Sequence, residues 1–114
     1  MKIKKKKYKD LEIFFSNYKV DYLNSIKYLE ERVNKVFRNE EKELIWFLEH
    51  PSIYTSGRSF LVKDSSINKI PVFNTARGGK ITWHGPGQRI MYVVMSLKKR
   101  QNDIRNFVYA LESF

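Results

Sequence analysis

The run Arg77-Gly78-Gly79-Lys80-Ile81-Thr82-Trp83-His84-Gly85-Pro86-Gly87-Gln88 holds a guanidinium, a hydroxyl, an imidazole and a primary amide beside four of the chain's five glycines. Glycine suits backbone that takes φ > 0 or lies directly against a ligand. Arg77 presents five donors in a planar fork, fitted to a carboxylate, a phosphate or a set of carbonyls. Gly78 and Gly79 let main chain and its N–H groups approach an extended ligand. Thr82 and His84 are two apart, so in an extended segment both face one side, toward one cavity. Gly85-Pro86-Gly87 makes a stiff turn, and the Gln88 amide can tie it down. Taken singly, His84 reads as a satisfied structural histidine, Arg77 as a surface cation and residues 85–87 as an ordinary turn. Their conjunction argues instead for a pocket built of backbone with a few fixed polar groups.

Familiar phosphate loops do not fit. Gly79-Lys80 is followed by Ile81 rather than Ser or Thr, and no Gly stands five residues before Gly79, so a P-loop fits poorly. The glycine spacing also misses the dinucleotide fingerprint. The chain has no cysteine, hence no disulfide, no thiolate metal site and no Cys nucleophile of its own, which fits a reducing compartment. No metal site and no cofactor is indicated.

The elements that must position this loop follow from periodicity. Leu11 to Phe15 is a short apolar run read as a strand. Asp21 to Phe37 reads as one amphipathic helix, with Tyr22, Ile26, Leu29, Val33 and Val36 on one face and Lys27, Glu31, Arg32 and Lys35 largely off it. Arg38 to Glu43 is a charged connector. Leu44 to Leu48 is a continuous apolar run, suited to a strand covered on both faces, and it stops at His50-Pro51. Ile53 to Thr55 extends that strand briefly before a turn at Ser56 to Ser59. Lys63 to Lys69 reads as polar loop and Pro71 to Phe73 as a short strand. Ile90 to Met95 is the strongest buried-strand candidate. Asp103 to Phe114 restarts a helical pattern behind an Asn102 or Asp103 cap. The mixture gives an α+β class with a mixed sheet packed by helices.

A length of 114 residues suits one domain, and 42% apolar with 15% aromatic residues suits a folded one. Residues 1–9 read as a basic, disordered tail and 10–114 as the folded part. No apolar run is long enough to span a membrane, and the basic N-terminus lacks the apolar stretch of a secretory signal, so the expected location is the cytoplasm. The net charge of +10 favours acidic partners without choosing among them.

The glycine-rich run resembles the signature of the lipoyl(octanoyl) transferase family: Arg-Gly-Gly, two variable residues, Thr, an aromatic, then His-Gly-Pro-Gly-Gln. Every fixed position is met. Glu49-His50-Pro51-Ser52-Ile53-Tyr54-Thr55-Ser56-Gly57-Arg58 is similar to a second motif of the same family. Residues 18–36 resemble its first helix, Ile90 to Leu97 the strand after the signature, and Asp103 to Glu112 the following helix. The resemblance covers about residues 10–114, the N-terminal half of the family's catalytic domain, and implies a truncated form of the biotin/lipoate protein ligase-like fold.

The implied activity is transfer of an octanoyl group from acyl carrier protein to a lysine of lipoyl domains, in 2-oxoacid dehydrogenases and the glycine cleavage H protein. Neither nucleic acid nor membrane is an implied partner. The family's Cys nucleophile and its Lys partner stand in a second half not present here, so no catalytic residue is assigned and the chain alone is expected to be inactive. The resemblance assigns the acyl-substrate pocket to Arg77, Gly78, Gly79, Thr82 and His84, with Lys80, Ile81 and Trp83 in the variable slots of the same loop. A truncated or split reading frame, or a fragment of a longer product, accounts for the missing half. Two other readings fit some of the residues: a non-catalytic remnant that binds acyl groups or a partner, and a small basic nucleic-acid-binding module. A ligase for lipoate or biotin shares the fold without the His-Gly-Pro-Gly-Gln ending.

Overall fold

A computed structural model describes residues 3–7, 10–58, 61–75 and 79–96, with Lys6 described by its backbone alone. The helix expected at Asp103 to Phe114 lies outside these residues. In chain order the elements are β1 (Ile3–Lys7), β2 (Leu11–Lys19), α1 (Tyr22–Phe37), β3 (Glu43–Glu49), β4 (Ile53–Ser56), β5 (Ser66–Ile67), β6 (Ile70–Asn74), β7 (Ile81–His84) and β8 (Ile90–Val94). They form two four-stranded sheets, ordered β1-β2-β3-β8 and β5-β6-β4-β7. The class is α+β, as the mixed pattern implied.

In the first sheet β2 and β3 run parallel, joined over one face by α1, while β1 and β8 pair antiparallel on the outside. A parallel pair needs such a crossover. β3 is the central strand and the best buried, with Leu44 at 0%, Ile45 at 1% and Leu48 at 2% exposure, which explains its unbroken apolar run. Phe14, Trp46, Leu48 and Val94 meet Leu29 and Val36 of the helix to form the core. Asp21 caps α1, its carboxylate accepting from the Asn24 N–H at 3.0 Å.

Several expectations need correction. Residues 3–7 are not a solvated tail but strand β1, hydrogen-bonded along β2. β2 would otherwise present an unpaired edge, and a lysine-rich strand covers it while keeping its own outer edge charged. Lys5 lies with its Nζ 4.9 Å from the centre of the Phe14 ring. Ile53 to Ser56 does not extend β3; after His50-Pro51 the chain leaves the first sheet and starts the second. The loop expected at Lys63 to Lys69 contains β5 and a tight turn, with Asn68 at φ 49° and Lys69 at φ 67°. Two successive left-handed residues match the right-handed twist of a hairpin, here between β5 and β6. β8 is not the best-buried strand. It ends at Val94 and ends its sheet order, with Ile90 and Tyr92 half-buried because they face a cavity.

Arg32, placed off the apolar stripe by periodicity, is 4% exposed, while Val33 is 52% exposed. Ser25, Leu29, Arg32 and Val36 form the inward stripe. Arg32 is tolerated there because its fork is satisfied: Nη2 donates to Glu12 Oε1 at 2.6 Å, Nε to the Lys42 carbonyl at 2.9 Å, and Nη1 to the Tyr28 hydroxyl at 3.2 Å. Removing Glu12 leaves the buried Arg32 charge with only the more distant Glu41 carboxylate, at 3.8 Å. Glu12→Ala should therefore cost about 3 kcal/mol or more, whereas exposed-side changes such as Glu31→Ala stay within about 0.5 kcal/mol. Urea denaturation of the two variants checks the difference.

Candidate functional site

Pairing between β4 and β7 brings the two motif segments together. The register sets Ile53 opposite His84 and Thr55 opposite Thr82. Thr82 and His84 do share one face, and Thr55 joins them from the neighbouring strand. His84 Nε2 lies 3.2 Å from Thr55 Oγ1 and 3.3 Å from Thr82 Oγ1, and the two hydroxyls are 3.2 Å apart. His84 Nδ1 stands 2.7 Å from Gln88 Oε1. With Nδ1–H donating to that amide oxygen, Nε2 is the lone pair turned toward the threonines.

The turn after β7 is held at both ends. The Gln88 N–H donates to the Gly85 carbonyl at 3.0 Å, and the Gly87 N–H donates to Glu49 Oε1 at 2.7 Å. Gly87 sits at φ 88°, a conformation that favours glycine. Gly85 is required for a different reason: a Cβ there would lie 2.3 Å from the Trp83 ring, which packs directly over it.

The loop before β7 is pinned on the end of β4. The Ser56 carbonyl accepts from the Thr75 N–H at 2.9 Å and the Thr75 hydroxyl at 2.8 Å, and the Gly57 N–H donates to the Lys80 carbonyl at 2.9 Å. Ser56 Oγ hydrogen-bonds Asn74 Oδ1, and Asn74 in turn bonds both the N–H and the carbonyl of Val62, at 3.1 and 2.9 Å. Gly79 takes φ 94° and Lys80 is exposed. Arg77 and Gly78 lie outside the described residues.

A cavity of about 240 Å³ opens at this cluster, lined by Tyr22, Ile26, Thr55, Thr75, His84, Ile90 and Tyr92. One end is polar (Thr55, Thr75, His84) and the other is apolar and aromatic. Its aromatic walls are held by His50, which is 0% exposed. His50 Nδ1 is 2.7 Å from the Val20 carbonyl and Nε2 is 2.8 Å from the Tyr92 hydroxyl. Tyr22 packs edge-on against the His50 ring at 5.3 Å and stacks on Phe73 of the second sheet at 4.8 Å. No three His, Cys, Asp or Glu side chains converge as metal ligands among the described residues.

This geometry can be set beside known proteins. The family described as lipoyl protein ligase A/B catalytic domain matches residues 21–114. The chain belongs to that family. Its two mixed sheets and crossover helix agree with such a catalytic domain. An octanoyltransferase of Bartonella tribocorum is 45% identical over 100 residues, covering 87% of this chain and 41% of the relative. An octanoyltransferase of Bradyrhizobium sp. is 44% identical over 97 residues, covering 85% of this chain and 40% of the relative. An octanoyltransferase of Brucella melitensis is 44% identical over 95 residues, covering 82% and 36%. The chain thus spans about two fifths of the length of the relatives it matches.

Of the loop residues singled out from the sequence, the structure brings His84 to the cavity, and Thr82 stands exposed beside it, against Thr55 and His84. Ile81 is half-buried, and Lys80 and Trp83 are exposed at its side. Sequence reasoning missed Thr55, Thr75, Tyr22, Ile26, Ile90 and Tyr92 as lining residues, and Glu49 and His50 as their supports. The motif similarity around Glu49 to Arg58 was a signal for three of these; the others look like core in any periodicity.

Burial pushes the His50 imidazole below 6.5, with the hydrogen bond to the Val20 carbonyl opposing this and the proximity of His84 adding to it. The ring is therefore neutral, with Nδ1–H donating to Val20 and Nε2 accepting from Tyr92 O–H. Burial likewise pushes the Tyr92 hydroxyl up to about 12. Below pH 6.5 the unfolded chain binds a proton at this histidine that the folded chain resists, so stability falls as pH falls through that range. His50→Gln should lower stability at neutral pH yet flatten its decline between about pH 7.5 and about pH 5, read from denaturation midpoints. Gly85→Ala should displace the Trp83 ring, seen as a shift in tryptophan emission, where Pro86→Ala leaves the emission unchanged.

Proposed function

We propose that this chain supplies the acyl-binding half of an octanoyltransferase site, in a protein that moves an octanoyl group from acyl carrier protein to lysines of lipoyl domains. The observation that carries this reading is the cavity with Thr55, Thr75 and His84 at one end and Tyr22, Ile26, Ile90 and Tyr92 at the other. Such a space suits an acyl chain whose polar head lies against hydroxyl and imidazole. The names and extents of the relatives support the same reading.

In this scheme the apolar wall desolvates the alkyl tail, worth about 0.8 kcal/mol for each methylene buried. His84 and the threonines orient the carbonyl end. The family resemblance of the loop assigns Arg77, Gly78 and Gly79 to the same substrate. The described residues hold no helix long and apolar enough to cross a membrane. That agrees with a protein that meets its acidic carrier in the cytoplasm, where a net charge of +10 speeds the encounter.

Acyl transfer through a thioester needs a thiolate that both attacks and leaves well. The 114 residues contain no cysteine, so this chain binds and does not turn over. Octanoyl transfer by the purified chain should equal an enzyme-free blank, while octanoate binding is measurable by calorimetry or NMR. His84→Ala should weaken octanoate by about 1–3 kcal/mol, the cost of leaving buried polar groups unpaired. Transfer well above the blank, or octanoate binding unchanged by that substitution, overturns the assignment.

A further inference from the structure

The hydroxyls around the cavity differ in what they face. Thr75 lines it, but its hydroxyl donates to the Ser56 carbonyl at 2.8 Å. Tyr92 lines the apolar end, where burial holds its hydroxyl up at about 12. Thr82 lies 3.3 Å from His84 Nε2, yet it is exposed and stands outside the lining. Among the described residues it is Thr55 that both lines the cavity and reaches His84 Nε2, at 3.2 Å. Thr55 is only 3% exposed, so its hydroxyl meets the cavity rather than open solvent.

Thr55 Oγ1, the His84 ring and Gln88 Oε1 follow one another in a line of hydrogen bonds, 3.2 and 2.7 Å long. The Gln88 oxygen keeps the imidazole proton on Nδ1, and Nε2 then turns its lone pair to the Thr55 hydroxyl. This is the order of groups that makes a neutral hydroxyl nucleophilic: a base within reach of it, and a third group that fixes the base. Gln88 is itself held, through its N–H to the Gly85 carbonyl at 3.0 Å, in a turn whose Gly87 N–H is tied to Glu49. Two features make the step slow. The 3.2 Å contact is at the long end of the range for proton transfer. The Gln88 amide fixes the tautomer but carries no charge to offset an imidazolium.

We propose that Thr55 is a site of self-acylation, esterified by an activated octanoyl ester with His84 as the base and Gln88 as the residue that positions it. The proposal rests on the acyl-binding reading, which puts the carbonyl carbon at the polar end of the cavity, and adds the atom that carbon meets. Thr55 Oγ1 attacks the acyl carbon and its proton passes to His84 Nε2. The bond from the acyl carbon to the leaving oxygen breaks, the leaving group departs as its anion, and the imidazolium returns its proton to that anion or to water. The product is a threonine oxyester. An alkoxide leaves far less readily than a thiolate, so the acyl group is not handed on to an amine. The chain is acylated once, and transfer to lysine stays at the level of a blank.

The test uses the purified chain with 4-nitrophenyl octanoate, following release of 4-nitrophenolate and the mass of the protein. The wild-type chain should take up about one octanoyl group in an ester that alkaline hydroxylamine removes, and peptide mapping should place it on Thr55. Lysines acylated without a site give amides, which hydroxylamine leaves intact, and the chain unfolded in urea should show those alone. At saturating ester, His84→Ala should slow ester formation about a hundredfold or more, Thr55→Val should abolish it and Thr55→Ser should restore it. Gln88→Glu puts a charge behind the imidazole and should speed the step about tenfold, a gain that a merely structural turn would not give. Circular dichroism establishes that each variant is folded, and if Thr55→Val does not fold, mapping of the wild-type chain decides. A wild-type chain that binds octanoate but carries no hydroxylamine-labile group on Thr55 overturns the proposal and leaves acyl binding intact. A chain that binds no octanoate overturns the acyl-binding reading itself.

Discussion

One uncharged imidazole holds the closed side of this site together. His50 follows β3 directly, at the point where the chain leaves the first sheet for the second. One ring nitrogen reaches the main chain at the β2–α1 joint and the other reaches a side chain of β8. Those two hydrogen bonds have opposite polarity, so the ring serves both only in its neutral form, with its proton on Nδ1. The aromatic side chains on either side, Tyr22 and Tyr92, then have fixed places, and the cavity between them inherits its shape from the ring.

The same short stretch of chain also holds the open side. Glu49, next to His50, accepts from the Gly87 N–H, and Val20, whose carbonyl takes the imidazole, donates its own N–H to the Glu49 carbonyl at 2.7 Å. The joint between the sheets is therefore knitted to the glycine turn, to the helix start and to β8 by neighbouring residues. This is why a cavity can form between two sheets that share no strand: polar side chains at the exit of a central strand define their relative placement, while the apolar core sits elsewhere, under α1.

Much of this was legible in the sequence, and the failures have identifiable causes. The unbroken apolar run at Leu44 to Leu48 is a central strand because both its faces are covered, and α1 shows its period over four turns. The pairing of Thr82 with His84 follows from the two-residue repeat of a strand. Residues 3–7 were misread because composition reports solvation, whereas a sheet edge recruits whatever extended segment follows it closely in the chain. Arg32 was misread because the helical wheel treats charge as a reason for exposure, and the compensating Glu12 is twenty residues away in sequence. Ile90 and Tyr92 have the apolar character of core residues. Only three-dimensional placement shows that what they face is space.

The antiparallel pairing of β4 with β7 carries a consequence for how this segment can change in length. Thr55 meets Thr82 across a ladder of four residue pairs. Insertion of a single residue within either strand would rotate every later side chain to the opposite face, turning His84 away from Thr55 and Trp83 inward. Deletion does the same. Growth or shrinkage of the chain between these strands has to be absorbed in the stretch from Arg58 to Lys80, and there away from Asn74 and Thr75, whose bonds fix where the loop returns. The hairpin of β5 and β6, turning at exposed Asn68 and Lys69, is where added residues would disturb the threonine–histidine face least.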